Sequence, residues 1–121
     1  MWNIVLYEKE DGTIPVRGFL DKLPVKHHAK ALRDIDVLEK YGTALTEPHV
    51  RHIKGKLWEL RIKSASDISR IFYFIAVGKN IVLLHGFVKK AQKTPDREIE
   101  IASNYLQDYQ RNVTLASVSV I

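Results

Sequence analysis

The chain has 121 residues, no cysteine and a formal net charge of +5. That length suits a single domain with a modest core, the missing cysteines exclude disulfides and thiolate metal sites, and no stretch is long and apolar enough to span a bilayer. The N-terminus, MWNIVLYEKE, lacks the layout of a secretion signal, so a cytoplasmic protein without membrane association is expected.

Trp2 to Tyr7 (WNIVLY) reads as a first strand, closed by a turn at Asp11-Gly12. Pro15 is a good first-turn residue and starts a short helix reaching about Leu23, which can bury Val16, Phe19, Leu20 and Leu23. Pro24 opens a longer helix. Val25, Ala29, Leu32, Ile35, Leu38 and Tyr41 recur along it at helical spacing, and Gly42 stops it. The two helices are expected to form a hairpin over an apolar sheet face, with His27 and His28 solvated. Thr43 to Lys56 reads as a loop. Its His49 and His52 have HxxH spacing with no third ligand nearby, so no metal is expected, and a substrate-side role for His52 is favoured over a metal site.

Leu57 to Val88 reads as three consecutive antiparallel strands rich in Ile, Val, Phe, Tyr, Trp and Leu. Ser64-Ala65-Ser66-Asp67 forms the first turn and Gly78-Lys79 the second. A four-residue first loop pairs Lys63 with Ile68 and sets Arg61 opposite Arg70. A two-residue second loop pairs Val77 with Asn80 and sets His85 opposite Phe72. Alternation then gives a core face of Trp58, Leu60, Ile62, Ile71, Tyr73 and Ile75, joined by Val82, Leu84 and Val88. The other face collects Glu59, Arg61, Lys63, Arg70, His85 and Lys89, with Phe72, Phe74 and Phe87 among them. Like charges directly opposite each other destabilise a sheet, so Arg61 against Arg70 points to an anion site. A one-residue slip in either turn would send half of these residues to the wrong face.

Thr94 can cap a last helix starting at Pro95, with Asp96 at its positive end. Its stripe of Ile99, Ala102, Leu106 and Tyr109 should pack on the Phe72/Phe74 side and leave the Arg61/Arg70/His85 end open as a cleft. Residues 1–112 are read as one domain. Residues 113–121 (VTLASVSVI) are an apolar, β-prone tail of unassigned role, free to pair with an edge or a partner.

The basic excess is concentrated. Arg51 to Lys63 holds five basic residues and one acid, and Lys89 to Arg97 holds four basic residues against Asp96. Such clusters supply sequence-independent affinity for a phosphate backbone. Metal-free RNA cleavage needs a base for the 2′-hydroxyl, cations for the phosphorus oxygens and an acid for the leaving 5′-oxygen. Arg61 and Arg70 can bind phosphate as forks, and His85 can titrate near neutrality. Lys54, Lys56 or Lys89 can add charge, and one of them can move a proton if its pKa is depressed. Lys63, Lys90 and Lys93 extend the expected RNA-binding face. Glu59 is either a second base or the ion-pair partner of Arg61.

LWELR, the arginine before IFYF, LLHGFVKKAQKTP and a helix opening PDREIEIA together resemble the phage-derived HigB branch of the RelE-type toxins, as far as about Tyr109. The resemblance implies a RelE-like α+β fold: a small antiparallel sheet with an N-terminal helical hairpin on one face and a C-terminal helix. It implies cleavage of mRNA, usually on the ribosome, without metal or other cofactor. It also implies a HigA-like helix-turn-helix antitoxin that blocks the toxin and carries it to operator DNA. By position it marks Arg61, Arg70, Lys89 and Lys90, with His85 in the LLHxF segment. RelE relatives place a catalytic tyrosine or histidine near the C-terminus; Tyr105 and Tyr109 lie on the last helix here, without a matching motif. A degenerate toxin acting only through antitoxin binding is therefore the alternative. A plain DNA-binding protein is less well supported, since no helix pair is expected to have a helix-turn-helix turn and the basic groups are on strands.

Overall fold

The computed structural model describes residues 1–90 and 92–119, the side chains of 114–119 excepted. In chain order the elements are β1 (Asn3–Leu6), α1 (Pro15–Asp21), α2 (Val25–Tyr41), β2 (Val50–Lys54), β3 (Leu57–Ser64), β4 (Asp67–Ala76), β5 (Asn80–Val88) and α3 (Asp96–Ser119). The sheet runs β1-β5-β4-β3-β2. It is mixed rather than wholly antiparallel, because β1 joins β5 in parallel. Parallel neighbours need a long crossover, and the α1/α2 hairpin lies in the chain between them. The other additional strand, β2, falls within the stretch expected to be a loop. Its sequence, VRHIK, is charged because it forms the sheet's edge, where charge discourages pairing with other chains.

The β3–β4 register is the expected one, with Lys63 paired to Ile68 and Arg61 to Arg70. The β4–β5 hairpin differs. Ala76, not Val77, pairs with Asn80, so the loop is one residue longer than expected. A bulge opposite Phe72 and Tyr73 then absorbs one residue, so that Phe72 still faces His85. Between the turn and the bulge every β5 side chain is on the opposite face from the one expected. Ile81 and Leu83 enter the core under α1 and α2, with Leu60, Ile62, Ile71 and Tyr73. Val82 and Leu84, expected there, instead join Phe72, Phe74 and Phe87 beneath Ala102 and Leu106 of α3. Val88, also expected in the core, is half exposed.

The α2 stripe is rotated from its expected position. Val25, Leu32 and Tyr41 are exposed, while His27, Ala31 and Leu38 are buried. His27, expected in solvent, hydrogen-bonds the hydroxyls of Ser64 at 2.6 Å and Ser69 at 2.7 Å. Both ring nitrogens are thus satisfied, which makes its burial tolerable and fastens α2 to the β3–β4 hairpin. His28 Nδ1 donates to the Leu20 carbonyl at 2.7 Å across the α1–α2 turn. That turn spans only residues 22–24, so a short helix–helix connection does exist, contrary to expectation; its second helix packs on the sheet.

Two glycines are required by close approaches. A Cβ on Gly42, which ends α2 with φ +49°, would sit 2.1 Å from the Trp2 ring, and one on Gly86 would sit 2.3 Å from Phe19. Gly86→Ala is expected to destabilise the protein by about 1–3 kcal/mol by pushing α1 off the sheet, seen as a lower denaturant midpoint. α3 continues to Ser119. The backbone of 113–119 is therefore helical rather than an extended tail, and residues 120–121 lie outside the described residues.

Candidate nucleic-acid interface

β2 ends its pairing before β3 does. The last link is the Arg61 amide, which donates to the His49 carbonyl at 2.9 Å. α3 covers the sheet at Phe72 and Phe74 and leaves the Arg61 end open. Arg61 and Arg70 there face each other across strands and, with Ile68, line two cavities at once. One cavity, about 390 Å³, is completed by Lys30, Asp34, Pro48, His49 and Lys63. The other, about 380 Å³, is completed by Lys89, Lys90 and Gln92.

Arg70 is 4% exposed and its Nε lies 3.5 Å from Glu59 Oε1. Its Nη1 donates to the Ser69 carbonyl at 3.0 Å. Glu59, buried at 1% exposure, also accepts from the Thr94 hydroxyl at 3.4 Å. Glu59 was expected to pair with Arg61. It lies diagonally from Arg70 on the same sheet face, and the two share an ion pair without a well-aimed hydrogen bond. The Nε atoms of Arg61 and Arg70 are both buried without a hydrogen-bond partner among the described residues.

This crowding shifts proton affinities. Burial holds Arg70 below its usual pKa, with Glu59 opposing and the charges of Arg61 and Arg51 adding to the depression. Lys89 is likewise lowered, by desolvation first and then by Arg70, against Glu59. Four cations therefore act on one another with one buried acid between them, an arrangement that a bound phosphate would relieve.

The other expected site residues are placed less uniformly. His85 Nε2 is 3.2 Å from Glu98 Oε1 in the first turn of α3. Its ring lies alongside Phe72 and Phe87, and it lines neither cavity. Lys54 and Lys56 border a separate cavity against Ser103 and Gln107 of α3. Lys56 precedes Arg61 by five positions, roughly 16 Å along a strand. Lys63 and Lys90 each line one of the two arginine cavities, and Lys93 is exposed and lines neither.

Lys30, Asp34, His49 and Gln92 also line these cavities, although none is among the site residues expected from the sequence. The HxxH spacing held a signal for His49, whereas His52, the residue expected to face a substrate, lines neither cavity. His52 Nε2 instead donates to the Gly55 carbonyl at 2.7 Å and its ring rests on Trp58. Among the described residues no group of three His, Asp or Glu side chains can hold a metal, and no helix is long and apolar enough to cross a membrane.

Fold and site together define an α+β protein whose mixed sheet presents a cationic cleft at one open end. Residues 18–107 match the phage-derived protein Gp49-like family (DUF891), and the chain belongs to that family. The match runs from α1 into α3 and includes every residue that lines the two arginine cavities. No curated protein matches the chain.

Proposed function

We propose that this protein is the toxin of a type II toxin–antitoxin system, a RelE-like endoribonuclease that cuts mRNA on the ribosome. The Gp49-like family is associated with RelE/HigB-type toxins. The observation that carries the reading is the facing Arg61/Arg70 pair between two cavities, with Glu59 as the acid beside it. The scissile phosphate rests on the two guanidinium groups, whose forks match its oxygens. The 2′-oxygen forms its bond to phosphorus as the bond to the 5′-oxygen breaks. A base takes the 2′ proton and an acid supplies one to the departing 5′-oxygen. Lys89 is the base in this reading, since it lines the cavity beside Arg61 and Arg70 and desolvation, with the charge of Arg70 adding to it, weakens its hold on a proton. The chain's own cations stabilise the charge on phosphorus, and no cofactor enters. His85, held by Glu98 and stacked beside Phe87, is a positioning residue. A helix-turn-helix antitoxin of HigA type blocks the cleft and links the toxin to operator DNA.

The products carry a 2′,3′-cyclic phosphate and a 5′-hydroxyl. Mapping transcript ends after induction is expected to show both, and co-expression of a neighbouring helix-turn-helix gene is expected to suppress them. Intact transcripts with normal growth would remove the proposal. A further expectation concerns pH. A base works when unprotonated, so kcat/KM on programmed ribosomes should rise as pH climbs through the depressed Lys89 pKa, at lower pH than an ordinary lysine allows. Lys89→Arg keeps the charge and should lose that rising limb.

A second reading has its own support: Arg70 is occupied by Glu59 and His85 by Glu98. A degenerate toxin that acts through its antitoxin would bind that partner tightly and leave transcripts in a translating extract unchanged.

A further inference from the structure

We propose that the cleft takes one dinucleotide step of single-stranded RNA, with a nucleoside in each arginine cavity, and that Asp34 selects a base bearing an exocyclic amino group on the α2 side. The inference rests on the nuclease reading and adds the recognition of the bases flanking the phosphate. Arg61 and Arg70 line both cavities, so a phosphate held there has a space of nearly equal volume on either side, about 390 and 380 Å³. Each is large enough for a small-molecule ligand.

Asp34 is what distinguishes the two. It is the only acid among the described residues lining either cavity. A carboxylate repels phosphate, so its place in a cationic cleft suits a ligand group that is not phosphate. Lys30, one helical turn earlier, holds Asp34 Oδ1 at 2.6 Å. That pairing offsets the charge and fixes the side chain, leaving Oδ2 without a hydrogen bond among the described residues. A carboxylate only accepts, so Oδ2 favours the exocyclic amino groups of adenine, cytosine or guanine over uracil, whose single base donor, N3–H, lies between two carbonyl oxygens that a carboxylate repels. On the other side Gln92 carries both a donor and an acceptor, which tolerates any base.

The test uses 2′-O-methyl dinucleotides, which cannot be cut, titrated against the whole protein and followed by NMR. Wild type is expected to disfavour uracil at one of the two positions by about tenfold, the scale of one hydrogen bond to a charged group, and to show little preference at the other. Asp34→Asn should erase that preference, Lys63→Ala should weaken all dinucleotides alike, and Arg61→Ala should abolish binding. Binding that needs Arg61 but keeps its base preference in Asp34→Asn, or has none in wild type, overturns the inference and leaves the nuclease reading standing. No binding by wild type, or binding indifferent to Arg61, overturns the inference, while the nuclease reading stands or falls on the mapping of transcript ends in cells.

Discussion

Arg70→Ala is expected to destabilise the fold by about 3–5 kcal/mol, because it leaves the Glu59 carboxylate buried with no cation beside it. That is a large part of the total stability of a domain this size, roughly 5–15 kcal/mol. Thr94 donates a single 3.4 Å hydrogen bond to Glu59, too little to offset a buried charge. The companion variant Glu59→Leu/Arg70→Met removes both charges and keeps an apolar filling. Replacing a buried pair in this way is often close to neutral, so its denaturation midpoint should return most of the way to wild type. Both midpoints can be read from urea titrations followed by circular dichroism. A midpoint for Arg70→Ala equal to wild type would show that Glu59 does not depend on Arg70. For the same reason, loss of toxicity in Arg70→Ala says nothing by itself about phosphate binding.

Arg61→Ala separates the two roles. The Arg61 side chain is partly exposed and forms no ion pair among the described residues, and its structural hydrogen bond uses the backbone amide, which alanine retains. Stability should therefore change by no more than about 0.5 kcal/mol. The cleavage rate on programmed ribosomes should fall on the order of 10²–10³-fold, the usual cost of losing one group that stabilises transition-state charge. Arg61→Lys restores the charge but not the fork and should recover only part of the rate. Cells expressing Arg61→Ala should grow where wild type arrests them. A folded Arg61→Ala that cuts mRNA as fast as wild type would sink the proposed mechanism.

Much of the scaffold was legible in the residues because its signals are local. Pro15, Pro24 and Gly42 mark where helices begin and end, since proline suits a first turn and glycine a left-handed or close-packed stop. The Ser64–Asp67 turn sets the β3–β4 register, which brings Arg61 against Arg70. The α3 stripe of Ile99, Ala102, Leu106 and Tyr109 packs as its spacing implies. β2 was hidden because an edge strand can be as polar as a loop, and the parallel β1–β5 pairing was hidden because nothing local distinguishes the two strand directions.

The candidate site divides in the same way. The paired arginines and Lys89 follow from strand register and composition. Lys30, Asp34 and His49 come from α2 and from the start of β2, and only the packing of those elements at the open end of β3 makes them walls of the cleft. His85 lies on the expected face, but the first turn of α3 crosses it and Glu98 engages it. No reading of strand alternation contains that crossing.

The amino-acid sequence by itself determined where charge is concentrated, where most of the helices and the three central strands lie, and that two arginines meet on one face. Only the tertiary structure decided how β5 divides its side chains between the two cores, which acid neutralises which arginine, and which distant residues enclose the cleft. The physical reason is that strand alternation has a period of two, so one bulged residue reverses a face. Ion pairs and cavity walls join groups far apart in the chain, and their positions depend on how whole elements pack.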